Sequence, residues 1–321
     1  MTKSVKVMII VAVMLGLVSA LIADNNHNKP YLRMGYGAKG MAMGGTGTAY
    51  MNDITATYWN PAGLAKISDY QIGIDYMDGL GYDRNTSLAA FGMRFKYGYM
   101  AISWLNAGVT DIPGWVDENT PTDDYGYQDN NINLSLATRT GKFLWGSSIK
   151  MLFDNMDQDD DGTTTGFGID FGAMYEMNEY ISFGANIRDL YSKSDDVSIP
   201  MQYNLGVAVF PIKGLTVSGD LRQEESRDEI TVHMGAEYWT NIGTDTDLGA
   251  GLGTMKNTPD PSWEDMLSQV QAGVRIGAND GQFTAGFGLK FKMIEMNYAF
   301  VKEDSDGINE DNHRYGLTFR F

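Results

Sequence analysis

From residue 70 to its end, the 321-residue chain repeats one pattern. Apolar residues take every second position over stretches of roughly ten residues. Ile181, Phe183, Ala185 and Ile187 alternate with Ser182, Gly184, Asn186 and Arg188. Phe167, Ile169, Phe171, Ala173 and Tyr175 alternate with Gly166, Gly168, Asp170 and Gly172, and the sets Tyr203/Leu205/Val207/Val209 and Ile230/Val232/Met234/Ala236 repeat the scheme. Successive side chains of a strand face opposite sides, so each stretch is a strand with one apolar and one polar face. Strands of soluble sandwiches are usually shorter, about 5–6 residues, and their outward faces carry lysine and glutamate. Here the polar face is mostly glycine, serine and asparagine, which suits a crowded lumen. Tyr175, Tyr180, Phe210 and Trp239 fall at segment ends, where a membrane barrel places its aromatic girdles. The pattern predicts an all-β fold, a transmembrane antiparallel β-barrel.

Connection lengths test that reading independently. Alternating segments lie near 70–77, 84–94, 97–106, 131–139, 143–153, 165–175, 180–189, 200–210, 214–222, 230–239, 267–277, 282–291, 292–301 and 313–321. They make about 14 strands, an even number as bacterial barrels require. If the first runs outward, tight turns near Lys96, Gly141, Asn178 and Lys213 fall in the periplasm. The long or acidic connections 107–130, 154–165, 189–199, 223–228 and 302–312 then fall outside, and both chain ends finish in the periplasm. Residues 241–269 hold a weak strand candidate at 247–253 and a helix start near Ser262. Counting a strand there breaks parity, so the stretch is read as a long periplasmic connection. The last segment alternates Tyr315, Leu317, Phe319 and Phe321, ending on the terminal aromatic that outer-membrane assembly reads.

The first 23 residues are expected to be a cleaved export signal. Lys3 and Lys6 precede the apolar run Val7–Leu17, and Val18-Ser19-Ala20 offers small residues for cleavage. That run is shorter than the roughly 20 residues a membrane helix needs. The chain contains no cysteine, which removes disulfides, thiolate metal sites and cysteine nucleophiles. His27, His233 and His313 are scattered, without metal-ligand spacing. A net charge of −17 excludes nucleic acid as a partner. No catalytic constellation stands out, so no enzyme activity is expected, and lumenal Asp170, Asn186 and Arg188 read as a structural polar network.

Between signal and strands, residues 24–69 form a different kind of sequence, and 70–321 the barrel proper. "GYGAKGMAMGGTGTAYMNDITATYWNPAGLAKI" is too glycine-rich for a helix and too broken for a strand. It resembles the N-terminal signature of the PorV/PorQ family, within the FadL-like outer-membrane barrels. The matching positions are Gly37, Ala38, Gly40, Met41, Gly44, Gly45, Asn52, Asp53, Trp59, Asn60, Pro61, Ala62 and Gly63. "ISFGANIRDL", "IPMQYNLGVAV" and "FTAGFGLKFK" extend the likeness along the chain. The resemblance implies a plug or hatch inside the barrel. The residue chemistry suits one: glycine permits close approach and positive φ. Asn60 can bond its own backbone two residues on, Pro61 fixes φ, and Gly63 permits the turn out.

The resemblance implies two functions, and the closer motif match, to PorV/PorQ, favours the first. One is an accessory of type IX protein secretion, binding exported cargo or secretion components. The other is a FadL-like transporter for long-chain fatty acids or other hydrophobic compounds. In the first, the outer loop 107–130 is the expected contact surface, through Trp115, Tyr125 and Tyr127. Outer-membrane lipid and lipopolysaccharide are the expected surroundings. No cofactor is expected beyond weak calcium at Asp157, Asp159 and Asp161, whose loop lacks the closing glutamate because position twelve is Gly168.

Overall fold

The computed structural model describes residues 29–78, 84–117, 120–121, 123–156, 164–195, 197–242, 269–305 and 308–321. The export signal and the acidic loop with Asp157, Asp159 and Asp161 lie outside the described residues. The wall begins with β1 (Gln71–Asp78), β2 (Arg84–Phe95) and β3 (Gly98–Ile112), and a small ribbon of β4 (Trp115–Asp117) and β5 (Thr120–Pro121) stands off it. It continues through β6 (Tyr125–Thr140), β7 (Phe143–Met156), β8 (Thr164–Glu176) and β9 (Ile181–Ser194), with the two-residue β10 (Val197–Ser198) hooked onto β9. It is completed by β11 (Gln202–Val209), β12 (Leu215–Glu224), β13 (Ile230–Asn241), β14 (Val270–Asn279), β15 (Gln282–Phe291), β16 (Ile294–Ser305) and β17 (Ile308–Arg320).

Every wall strand pairs antiparallel with its neighbours in sequence, and β17 pairs with β1, so the ring closes. Leaving out β4, β5 and β10, the wall has 14 strands. β13 pairs directly with β14, from His233↔Asn279 to Asn241↔Gln271. The wall therefore closes without the stretch 243–268, which in sequence joins β13 to β14 and lies outside the described residues. The two ends of the wall meet at the short-turn end: Tyr70 and Phe321 exchange backbone hydrogen bonds of 3.2 and 2.9 Å.

Burial is inverted relative to a soluble protein. On β11, Leu205 is 61% exposed while its neighbour Asn204 is 3% exposed. Ile74 on β1, Met151 on β7 and Val274 on β14 likewise face outward, beside buried Asp75, Lys150 and Arg275. An apolar exterior and polar interior on a closed ladder is the bacterial outer-membrane architecture, because lipid supplies no partner for a free sheet edge. No helix among the described residues is long and apolar enough to cross a membrane; the strands cross.

Three expectations need correction. The outer connections are shorter than hydropathy suggests: β3 runs to Ile112, β6 starts at Tyr125, β9 continues to Ser194, and β16 and β17 leave only two residues between them. Above the membrane a hairpin needs its ladder but no apolar face, so the alternation fades before the strand ends. Trp239 and Phe210 are not girdle residues. Trp239 shares parity with buried Glu237 and turns inward, where the Lys290 ammonium sits 3.6 Å from its ring centroid. Phe210 packs on the buried core. Outward aromatics at that end are instead Phe143 and Tyr175, in tilted contact with centroids 4.7 Å apart, with Tyr97 and Tyr180 exposed nearby.

Leu205, mid-strand and facing lipid, gives a direct test. Leu205→Arg is expected to destabilise the barrel by about 2–4 kcal/mol, and Leu205→Phe hardly at all, measured by denaturant unfolding in lipid vesicles.

Candidate functional site

The interior is filled by the chain's own N-terminal segment, which runs from Lys29 beside the outer loops to Ile67 beside the periplasmic turns. It contains a 3-10 turn at Pro30–Arg33, the short helices α1 (Ala38–Ala42) and α2 (Ala56–Trp59), and a second 3-10 turn at Pro61–Lys66. Such irregular backbone leaves many donors and acceptors unpaired within the segment, and inward side chains of the wall supply the partners. Asp75 on β1 accepts from Ala38 N at 2.9 Å. Asp220 on β12 accepts from Gly47 N, Thr48 N and Thr48 Oγ1 at 2.8–3.0 Å. Arg314 on β17 donates to Gly35 O and Met34 O, Arg188 on β9 to Leu32 O, and Asn186 on β9 to Trp59 O. These wall residues reach the segment from opposite sides of the ring.

The Asn-Pro-Ala-Gly motif is an anchor. Asn60 is fully buried; its Oδ1 accepts from Ala62 N at 3.1 Å and its Nδ2 donates to Thr48 O at 2.7 Å. That is the local turn expected from the sequence, with Pro61 opening the 3-10 turn behind it. Asn60 and Pro61 lie directly on wall glycines: a Cβ on Gly172 would collide with Asn60 Oδ1, and one on Gly146 with Pro61 and Ala62. Gly63 departs from expectation. Its φ is not positive, and what it provides is space, since a Cβ would stand 2.5 Å from Met51 O. Trp59 packs both ways: its ring fills the space a Cβ would need at Gly40 and Gly47 of the segment, and the guanidinium of Arg222 on β12 lies 5.3 Å over it from the wall.

Gly37, Gly44 and Gly45 do take positive φ, and Gly44 also lies against the backbone of Met234 and Ala278. Asn52 and Asp53 hold one cation between them: Lys39 Nζ is 2.9 Å from Asn52 Oδ1 and 3.1 Å from Asp53 Oδ2. Burial opposes ionisation of Asp53, but Lys39 and the Thr55 hydroxyl outweigh it and hold its carboxyl at about 2.

Above the segment, at the outer end, lies a cavity of about 670 Å³. Tyr31, Met34, Ala107, Val109 and Val197 give it apolar lining, and Lys29, Asp129 and Asp154 a charged side. Lys29 Nζ is 2.5 Å from Asp154 and 3.6 Å from Asp129. Tyr127, expected on a partner-binding loop, is on wall strand β6, with its hydroxyl 2.9 Å from Asp154 and 3.1 Å from Asp129. Tyr125 also lies on β6, while Trp115 belongs to the β4–β5 ribbon. At the inner end a cavity of about 360 Å³ is bordered by Lys66, Arg139, Glu176 and Phe210.

Just below the outer cavity the wall ladder is interrupted. Ile169 pairs with Tyr191 and Phe171 with Ile187, so Asp170 stands alone opposite Arg188, Asp189 and Leu190. Asp189 takes a φ of 55°. A buried charge cluster fills the gap: Lys150 lies 2.7 Å from both Asp170 and Asp189, and Arg33 of the segment 2.7 Å from Asp189. Of the three residues expected in one polar network, Asp170 belongs to this cluster, while Asn186 and Arg188 instead bond the segment at Trp59 O and Leu32 O. Asp189, Lys150 and Asp220 do not stand out in the sequence; the adjacent charges Arg188 and Asp189 at the end of the expected strand 180–189 are the available signal.

Together these features define a closed 14-stranded outer-membrane barrel with its own N-terminal segment packed inside. Solved structures share the barrel fold. The Ralstonia pickettii toluene transporter TbuX superposes with a TM-score of 0.60 at 14% identity, covering 89% of this chain and 98% of that one. The Pseudomonas putida toluene transporter TodX gives 0.62 at 11% identity, covering 89% and 99%, and a Pseudomonas aeruginosa FadL homologue 0.51 at 11%, covering 94% and 99%. At these identities the likeness is one of fold. No protein-family model and no curated protein matches the chain.

Asn60→Ala strands buried polar partners and is expected to loosen the segment by about 1–3 kcal/mol. Gly172→Ala should do the same from the wall side, and the two losses should not add, because the residues touch. Both should appear as protease cleavage within residues 30–67, while the barrel keeps its heat-dependent shift in gel mobility.

Proposed function

We propose that this chain is a passive outer-membrane transporter for small hydrophobic compounds, with residues 30–67 as its plug. The observation that carries the reading is the outer cavity, which has the segment as its floor and an interruption of the wall beside that floor. An apolar molecule entering there has no polar pore to follow, because the segment fills the lumen below it. Displacing the Arg33–Asp189 contact opens a sideways path through the β8–β9 interruption into lipid. The similarity in fold to barrels described as toluene transporters supports this reading.

Association with type IX secretion, the other function implied by the resemblance, rests on sequence likeness, chiefly the N-terminal motif. Here Asn60, Pro61, Ala62 and Gly63 have structural work in seating the segment, so their presence carries little information about a protein partner. The Tyr127 hydroxyl is directed to Asp129 and Asp154 rather than to an outer loop tip.

Cells carrying the chain in their outer membrane should take up toluene faster than cells carrying an unrelated barrel, with no gain for glucose. Deleting Asp189 and Leu190 restores regular pairing and should abolish that gain with the barrel still assembled. Deleting residues 30–67 should convert a barrel silent in planar bilayers into an ion-conducting one. An unchanged toluene rate in the first comparison sinks the transport reading; a silent deletion mutant sinks the plug.

A further inference from the structure

The two rims of the barrel carry opposite charge. At the outer end Asp78, Asp123, Asp124, Asp195, Glu225, Asp228, Glu229, Asp280 and Asp311 are exposed, against few cations. At the periplasmic end, exposed lysines occupy four separate turns: Lys96 between β2 and β3, Lys142 between β6 and β7, Lys213 between β11 and β12, and Lys292 between β15 and β16. Exposed Arg94 and Arg139 stand beside them, while the β8–β9 turn carries Glu179 and the entry to β1 carries Asp69. A chain of net charge −17 thus presents a basic ring at one end.

The ring is continuous with the lipid-facing belt. Tyr97, Phe143, Ile212 and Met293 are all strongly exposed at the same turns. The Lys96 ammonium lies 5.4 Å over the Tyr97 ring and that of Lys292 5.2 Å over Phe291. This is how long cations behave at a membrane interface, with the stem on apolar surface and the head among polar groups. A protein partner would call for charge gathered on one arc. Lysines spread around the circumference, each just beyond the apolar belt, match a partner that is itself continuous and planar.

We propose that the periplasmic rim binds anionic phospholipid headgroups of the inner leaflet. Lys96, Lys142, Lys213 and Lys292 make the contacts, and the acidic outer rim faces the opposite leaflet. The attraction falls off within a Debye length, so it acts only on headgroups at the rim and weakens with salt. In sequence the 243–268 connection joins this end and holds Asp245, Asp247, Asp260, Glu264, Asp265 and one lysine, so the test uses the whole chain.

The purified protein is equilibrated with equal amounts of phosphatidylglycerol and phosphatidylcholine of identical acyl chains, and the lipid retained is identified by mass spectrometry. Phosphatidylglycerol should be enriched several-fold at low salt, less at high salt. The variant K96Q/K142Q/K213Q/K292Q should lose the preference, whereas D123N/D124N/E225Q at the outer rim should keep it. Gel mobility confirms assembly of each variant. No preference in the natural chain overturns the proposal, as does a preference that survives in the quadruple variant. Binding of an acidic polypeptide without lipid preference would assign the ring to a protein partner and overturn it equally.

Discussion

A backbone N–H or C=O removed from water costs about as much as a lost hydrogen bond, and in hydrocarbon it costs several kcal/mol. This chain meets that requirement in two places with two different solutions. In the wall, pairing β17 with β1 leaves no edge facing lipid. In the lumen, a segment too irregular to pair with itself is met by carboxylates, guanidinium groups and amides from the wall. Asp220 alone accepts three hydrogen bonds from Gly47 and Thr48. Outward residues need only be apolar. Inward residues must match a particular stretch of backbone, which explains why the inner face mixes charged residues with glycines where segment and wall touch.

All 14 wall strands were visible in the sequence because a barrel imposes period two wherever one face meets lipid. The information faded where that imposition stops. Above the membrane the ladder of β3 and β6 continues through polar residues, and hydropathy sees only a loop. Trp239 and Phe210 sit at strand ends, as girdle aromatics do, but their parity turns them inward. Parity puts Trp239 with Glu237 and Phe210 with Ala208, both buried.

Within the segment, local chemistry was readable and distant chemistry was not. The bond from Ala62 N to Asn60 Oδ1 spans two residues and follows from the Asn-Pro pair itself. The wall partners of the segment lie far along the chain, Asp220 more than 170 positions from Thr48. Nothing in the period of β12 distinguishes an inward aspartate that caps a backbone from one that merely faces water. Gly63 shows the same limit: glycine at that position was predictable, but the reason, the nearness of Met51 O, belongs to the tertiary structure.

The cluster at Asp170 and Asp189 shows why the segment and the wall form one mechanical unit. Two extra residues in β9 leave Asp170 unpaired, and the Asp170 carboxylate itself accepts from Asp189 N at 2.7 Å. Lys150 bridges the two carboxylates, and Arg33 adds a cation from the segment. Burying these charges is costly unless each stays paired. Removing Arg33 would leave Asp189 with Lys150 and the Ser192 hydroxyl. The wall interruption is therefore most stable when the segment is seated, and any movement of the segment weakens the wall at that one place. A regular ladder would confine the effect to the lumen. On the transport reading proposed above, the bulge is the point where movement of the segment would reach the lipid face.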